Sequence, residues 1–200
     1  MTETPWDVLL LGGASGIGKS LLAAQLADEH KAFVVEFDDV VEAVREITTA
    51  DRHPGLHLFD ELPDDIEETL PQDRVLGLQI ATARALEPAL TGVVRNRLTV
   101  DAPAVIEGDY LTPAAAARAV RAGTAAGRRV RAVFLHEGDA GRITANYAAR
   151  EPTAGRQTAR ARVSAAYSHW LAEQARQHGL PVLDARPWHT LSDRVREAVG

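Results

Sequence analysis

The sequence predicts an α/β fold in which a parallel sheet is covered by helices on both faces. Three observations carry this. Short apolar runs alternate with helical stretches along the 200 residues, the order expected of parallel strands joined by helical crossovers. The runs are rich in Val, Ile, Leu and Phe and stop at Gly or Asp, as buried strands do. The first run leads through a glycine-rich turn straight into a helix. The length suits one domain spanning residues 1–200.

The elements follow in order. Residues 6–11 form a short apolar strand stopped by Gly12-Gly13. A helix over 19–30 carries Leu21, Leu22, Ala23 and Leu26. A second strand covers 32–37. Asp38 and Asp39 then open an amphipathic helix with Val40, Val41, Val44 and Ile47 on one face, two acids suiting a first turn. Residues 51–71 are acidic and irregular, with Pro54, Gly55, Pro63 and Pro71; the acidic insert as a whole runs over about 48–72. A long helix over 73–97 bends or breaks near Pro88. A third strand over 104–107 ends at Gly108, and Thr112-Pro113 caps and starts a helix through Arg121. The fourth strand is 130–135. A polar, arginine-bearing segment follows at about 139–157, then a helix over 158–178, a fifth strand at 181–184 and a closing helix at 192–199.

Composition excludes several function classes. The chain has no cysteine, so it has no disulfide scaffold, thiolate metal site or cysteine nucleophile. The net charge of −6 argues against a non-specific nucleic-acid binder. No apolar run approaches the ~20 residues of a membrane span. Met1-Thr2-Glu3-Thr4-Pro5 lacks the basic and apolar regions of a signal peptide, so a cytoplasmic chain is expected, monomeric or homodimeric. Alanine supplies 35 residues, so the large apolar side chains are concentrated in a few strands. The charge is split. Residues 36–73 hold 13 acids and two arginines, while residues 118–162 hold ten arginines and three acids. Either these are two solvated faces, or the basic segment closes as a lid over an anionic ligand.

Only two of the 22 basic residues are lysine, Lys19 and Lys31. Lys31 reads as a cation at a helix end. Lys19 belongs to Gly13-Ala14-Ser15-Gly16-Ile17-Gly18-Lys19-Ser20, a full match to G-x-x-x-x-G-K-[ST] between a strand and a helix. Glycines let successive backbone N–H groups converge on phosphate oxygens, and the helix presents its positive end to the same oxygens. The lysine then reaches the β- and γ-phosphates of ATP, and Ser20 ligates Mg²⁺. A plain glycine turn would not need the Lys-Ser pair.

Other candidates lie at the carboxyl edge of the sheet, where open α/β folds bind ligands. Asp38 either accepts a proton from a substrate hydroxyl or caps its helix, and Asp39 reads as a cap. Glu107, ending a buried strand, suits the Mg²⁺ shell, with Asp109 as its alternative. Arg142, Asn146 and Arg150 share a helical face; Arg142 and Arg150 are candidates to clamp a transferring phosphoryl group. Arg186, beyond the fifth strand, falls near the nucleotide base or ribose. The histidines show no metal-ligand spacing, and His57 reads as a surface residue.

The phosphate loop, the Asp38-x-Val40-x-Glu42-x-x-Arg45 stretch and Val105-Ile106-Glu107-Gly108 together resemble small P-loop kinases related to 2-phosphoglycerate kinase, within the wider gluconate- and nucleoside-kinase fold. The resemblance implies a three-layer P-loop NTPase sandwich with a five-stranded sheet in the order 2-3-1-4-5 and an arginine-bearing lid. It implies ATP- and Mg²⁺-dependent phosphorylation of a small-molecule hydroxyl, with Asp38 near the acceptor and Glu107 as the acid after the third strand. Val41 stands where that group often has an arginine, so the kinase class carries over and the substrate does not. An ATP-binding regulatory switch and a nucleoside monophosphate kinase are the alternative functions. The acidic stretch at 36–73 favours a neutral or cationic acceptor over an anionic one.

Overall fold

A computed structural model describes residues 4–63 and 65–200. Met1, Thr2 and Glu3, and Asp64 of the acidic insert, lie outside the described residues. Five parallel strands form one sheet: β1 (Val8–Gly12), β2 (Phe33–Glu36), β3 (Ala104–Gly108), β4 (Val130–His136) and β5 (Val182–Asp184). Their order is β2-β3-β1-β4-β5, as the resemblance implied. β1 is central, with Leu10 level with Ile106 on one side and Ala132 on the other.

Both faces of β1 are buried, which is why its sequence is a continuous apolar run rather than an alternation. Val8 and Leu10 face a core completed by α5 (Glu87–Leu98), α6 (Pro113–Ala125) and α8 (Thr158–Gln177). Leu9 and Leu11 face a second core with α1 (Lys19–His30), α7 (Ala140–Arg150) and α9 (Leu191–Val199). The alanines of α6 and α8, such as Ala116 and Ala175, are buried against the first core. Their small side chains let these helices lie close to the sheet, so the large residues of the strands fill the core.

Three details depart from the sequence reading. β2 is an edge strand, so Phe33 and Val34 are 58% and 41% exposed. Phe37 does not extend that strand; it opens α2 (Phe37–Glu46) and is fully buried. Ile47 lies past the end of α2 and is exposed, so only Val40, Val41 and Val44 of the expected face pack inward. The stretch at 73–97 divides into α4 (Gln72–Ala85) and α5, with Pro88 in the first turn of α5, where its missing N–H costs nothing. The acidic insert holds a 3₁₀ turn at Pro54–Leu56 and the short α3 (Ile66–Thr69).

The start of α6 ties two helices together. Thr112 Oγ1 accepts from the Ala115 N–H at 3.2 Å and donates to Glu87 Oε1 at 2.6 Å; Glu87 Oε2 pairs with Arg118 at 2.5 Å. Thr112 is 2% exposed. Thr112→Ala therefore removes a cap and leaves a carboxylate oxygen short of a donor. It should cost about 1–2 kcal/mol in chemical denaturation, and Thr112→Ser should recover most of it.

Candidate functional site

The phosphate loop crosses from β1 to α1 over residues 13–18. Gly16 and Gly18 adopt left-handed backbone, at φ 77° and 99°. Each is also overlain by an aromatic ring. A Cβ on Gly16 would lie 2.8 Å from the Tyr147 ring, and one on Gly18 2.6 Å from the Trp188 ring. The glycines thus set the loop's curvature and admit α7 and the β5–α9 connection against it. Asn146 Nδ2 donates to the Gly16 carbonyl at 2.8 Å, a further tie between α7 and the loop.

Lys19 begins α1 and is 5% exposed. Its Nζ donates to the Ala14 carbonyl at 3.0 Å and to Asp109 Oδ1 at 2.5 Å. Burial alone would favour the neutral amine, but the carboxylates of Asp109, Glu107 and Asp38 outweigh it and hold the ammonium charged, above the usual lysine range. The register explains the meeting: β1 pairs with β3, so the loop after Gly12 rises beside Gly108 and Asp109. Asp38, in the first turn of α2, accepts from the Asp109 N–H at 3.2 Å. Its burial and the charge of Asp109 push its carboxyl up to about 7.

Glu107 is 3% exposed, and the Ser20 hydroxyl hydrogen-bonds its carboxylate. Burial raises this carboxyl above the usual range, against the pull of Lys19. Two oxygen donors beside the phosphate loop, one a buried carboxylate, fit a hard divalent cation. Among the described residues no group of three or more His, Asp or Glu would hold a metal alone.

Two cavities meet at this cluster. The larger, about 820 Å³, runs along the phosphate loop from Ser15 to Leu21 and is walled by Asp38, Glu107, Arg150, Arg186 and Trp188. The smaller, about 350 Å³, lies toward the acidic insert and is walled by Arg45, Phe59, Ile66, Val75 and Tyr110. Ser15, Asp109 and Arg160 line both. A group passing between the cavities passes these three side chains.

The structure gathers Ser15, Gly16, Ile17, Gly18, Lys19, Ser20, Asp38, Glu107, Arg150 and Arg186 around the larger cavity. Gly13 and Ala14 are buried beneath it. Arg142 stands apart. It is 55% exposed, pairs with Asp139 at 3.4 Å and Glu137 at 3.7 Å, and lines neither cavity. The cause is local. Asp139 caps α7 by accepting from the Gly141 and Arg142 N–H groups, and its carboxylate draws the Arg142 side chain to the helix start, one turn short of the loop. Arg160, which the sequence offers with Arg156 and Arg162 as a further arginine of the basic segment, stands at the cavity boundary; Tyr147 and Trp188 were not selected from sequence. A sequence signal existed for Trp188: an aromatic shortly after the fifth strand, beside Arg186.

The charge argument also changes. Of the described acids at 36–73, Glu67 is the one lining the smaller cavity, and Arg45 stands there with it. The net charge of the stretch therefore does not describe the cavity. His57 is not a surface residue: its side chain is 9% exposed and bridges Thr48 and Asp60 at 3.0 and 2.6 Å. Asp60 in turn accepts from Arg45 at 2.7 Å, which fixes the insert to α2.

The family described as AAA domain matches residues 8–181. The chain belongs to this family. It is 27% identical over 108 residues to 2-phosphoglycerate kinase of Pyrococcus furiosus; the match covers 53% of this AAA-domain chain and 36% of that protein. The chain thus aligns with about a third of the length of that relative. A gluconokinase from Sinorhizobium meliloti 1021 superposes with a TM-score of 0.57 at 17% identity, over 98% of this chain and 91% of the other. Shikimate kinase from Acinetobacter baumannii, in complex with shikimate, does so at 0.54 and 12%, over 95% and 90%. These two show the shared fold.

The Asp38 carboxyl gives a pH test. A carboxyl raised to about 7 in the folded protein, against an ordinary value of 3.8, keeps its proton longer than in the unfolded chain. Its contribution to stability is therefore full below about pH 4 and lost as pH rises toward 7. Thermal unfolding of Asp38→Asn should match wild type at pH 4 and exceed it by several degrees at pH 8, since the amide keeps the acceptor for the Asp109 N–H and carries no charge.

Proposed function

We propose that this protein transfers the γ-phosphoryl group of ATP to a hydroxyl of a small molecule. The observation that carries the reading is the meeting of two cavities at Asp109 and Arg160, beside the ammonium of Lys19. One cavity offers a phosphate loop, the other a space for an acceptor. The kinase names of the similar proteins agree with it.

The residues divide the work. Backbone N–H groups of residues 13–18 and the start of α1 hold the β- and γ-phosphates. Lys19 exchanges Asp109 for phosphate oxygens. Ser20 and Glu107 would hold Mg²⁺, which neutralises charge on the phosphates when bound. Trp188 and Arg186 wall the far end of the larger cavity, where the base and ribose fall. The acceptor hydroxyl approaches from the smaller cavity. Its oxygen bonds to the γ-phosphorus as the bond from that phosphorus to the ADP oxygen breaks. The hydroxyl proton passes to Asp38, whose carboxyl is pushed up to about 7 by burial and by the charge of Asp109. Asp39 is exposed and takes no part. Arg160 stabilises charge on the transferring group, assisted by Arg150. Arg142, remote from both cavities, is dropped from this set. Among the described residues no helix is long and apolar enough to cross a membrane.

The test is phosphoryl transfer from ATP·Mg²⁺ to a panel of hydroxyl acceptors, read by ADP release and by the mass of the product. Lys19→Ala should lower turnover by about 10²-fold or more, and Arg160→Ala by a similar factor, while Arg142→Ala stays within about twofold of wild type. Tight ATP binding with no acceptor phosphorylated would support the regulatory switch instead.

A further inference from the structure

The arginines at the cavities are held by a residue that lines neither. Glu151 follows α7 directly, and its N–H donates to the Tyr147 carbonyl at 2.7 Å. Glu151 Oε1 accepts from Arg150 Nε at 2.9 Å and Nη2 at 2.5 Å. Its Oε2 accepts from Arg160 Nη1 at 3.1 Å and from Gln157 Nε2 at 2.9 Å. One carboxylate therefore takes four hydrogen bonds from three side chains, across the turn that joins α7 to α8.

The two guanidinium groups also lie against one ring. Arg150 sits 5.3 Å and Arg160 4.4 Å from the centre of the Tyr147 ring. That ring is fixed at its far end, where its hydroxyl meets Ser164 Oγ at 2.8 Å, and it rests against Gly16 of the phosphate loop. Two cations gathered on one aromatic ring repel each other. A carboxylate shared between them offsets that repulsion and fixes both side chains, each of which otherwise has several free torsions. The Lys31–Asp28 pair is of a different kind: it joins two side chains 78% and 86% exposed within one turn of chain.

We propose that Glu151 is a positioning residue for phosphoryl transfer, holding Arg160 at the boundary of the two cavities and Arg150 in the nucleotide cavity. The inference rests on the phosphotransferase reading above. The hydrogen bonds from Gln157 and Arg150 hold the Glu151 carboxyl below the usual carboxylate range. Arg160 lines both cavities and Arg150 only the larger, so on this reading Glu151 acts on the group passing between the cavities more than on ADP.

ADP·Mg²⁺ with aluminium fluoride mimics the transferring phosphoryl group, with water or an acceptor hydroxyl as its second apical oxygen. Calorimetry should show that fluoride tightens ADP binding to the wild type. Glu151→Ala should lose at least about tenfold of that tightening, while its affinity for ADP alone stays within about twofold. In an Arg160→Ala background the same substitution should change the tightening less than about twofold. Glu151→Gln keeps the side-chain volume and carries the same comparison if the alanine variant fails to fold. Full tightening in a folded Glu151 variant overturns the inference. So does an equal loss for ADP and ADP–fluoride, or a loss undiminished without Arg160. A wild type that binds ADP and gains nothing from fluoride overturns the phosphoryl-transfer reading itself, and the inference with it.

Discussion

A buried ammonium governs this site. Lys19 is 5% exposed, and a charge taken from water without a partner would cost several kcal/mol. Three carboxylates, from Asp38, Glu107 and Asp109, surround it, and the last makes the direct pair. That requirement constrains the whole sheet. The acids reach Lys19 because β3 lies between β1 and β2, so the ends of β3 and the start of α2 converge on the loop after β1. Were β3 not paired with β1, Asp109 would not reach Lys19.

The carboxylates in turn crowd one another. Burial and the charge of Asp109 raise the cost of ionising Asp38, and a hydrogen bond from the Asp109 N–H to Asp38 fixes the distance between them. The cluster holds more acid than one lysine neutralises, so it favours any added cation, whether a proton on Asp38 or a divalent ion beside Glu107. On the other wall the balance is reversed. Arg150 and Arg160 crowd the Tyr147 ring, and Glu151 relieves them. The glycines at 16 and 18 bring these walls together, since any side chain there would push Tyr147 and Trp188 off the loop.

Much of the fold was legible because its signals are local. The strand at 104–107, the Thr112 cap, the helix at 19–30 and the phosphate loop depend on neighbours within a few residues. What failed depended on distance or direction. Helical spacing placed Arg142 and Arg150 on one face, but it does not say where along α7 that face meets the loop. The meeting point is Asn146 and Tyr147, and Arg142 is drawn back to its own cap. Arg160 belongs to another helix, and the turn at 151–157 that brings it back has no sequence signature. The charge count over 36–73 was correct as a sum, yet it carried no information on which acids face inward. Lys31, unexplained by sequence beyond its charge, closes α1 in a left-handed conformation at φ 53°, its N–H returning to the Asp28 carbonyl.

The pairing of Lys19 with Asp109 has a consequence for the order of events on the phosphotransferase reading. Without nucleotide, Asp109 is engaged by the lysine and turned toward the larger cavity's floor. Phosphate oxygens that take over Lys19 leave Asp109 without its cation, at the boundary that the acceptor must reach. A carboxylate so released is a better hydrogen-bond acceptor, open to a hydroxyl that enters the smaller cavity it lines. Nucleotide then binds to a loop whose lysine is already in place, and the acceptor binds to an acid that the nucleotide has freed. The same ion pair that makes a buried lysine tolerable thereby couples the two cavities, with no movement required beyond the exchange of one partner.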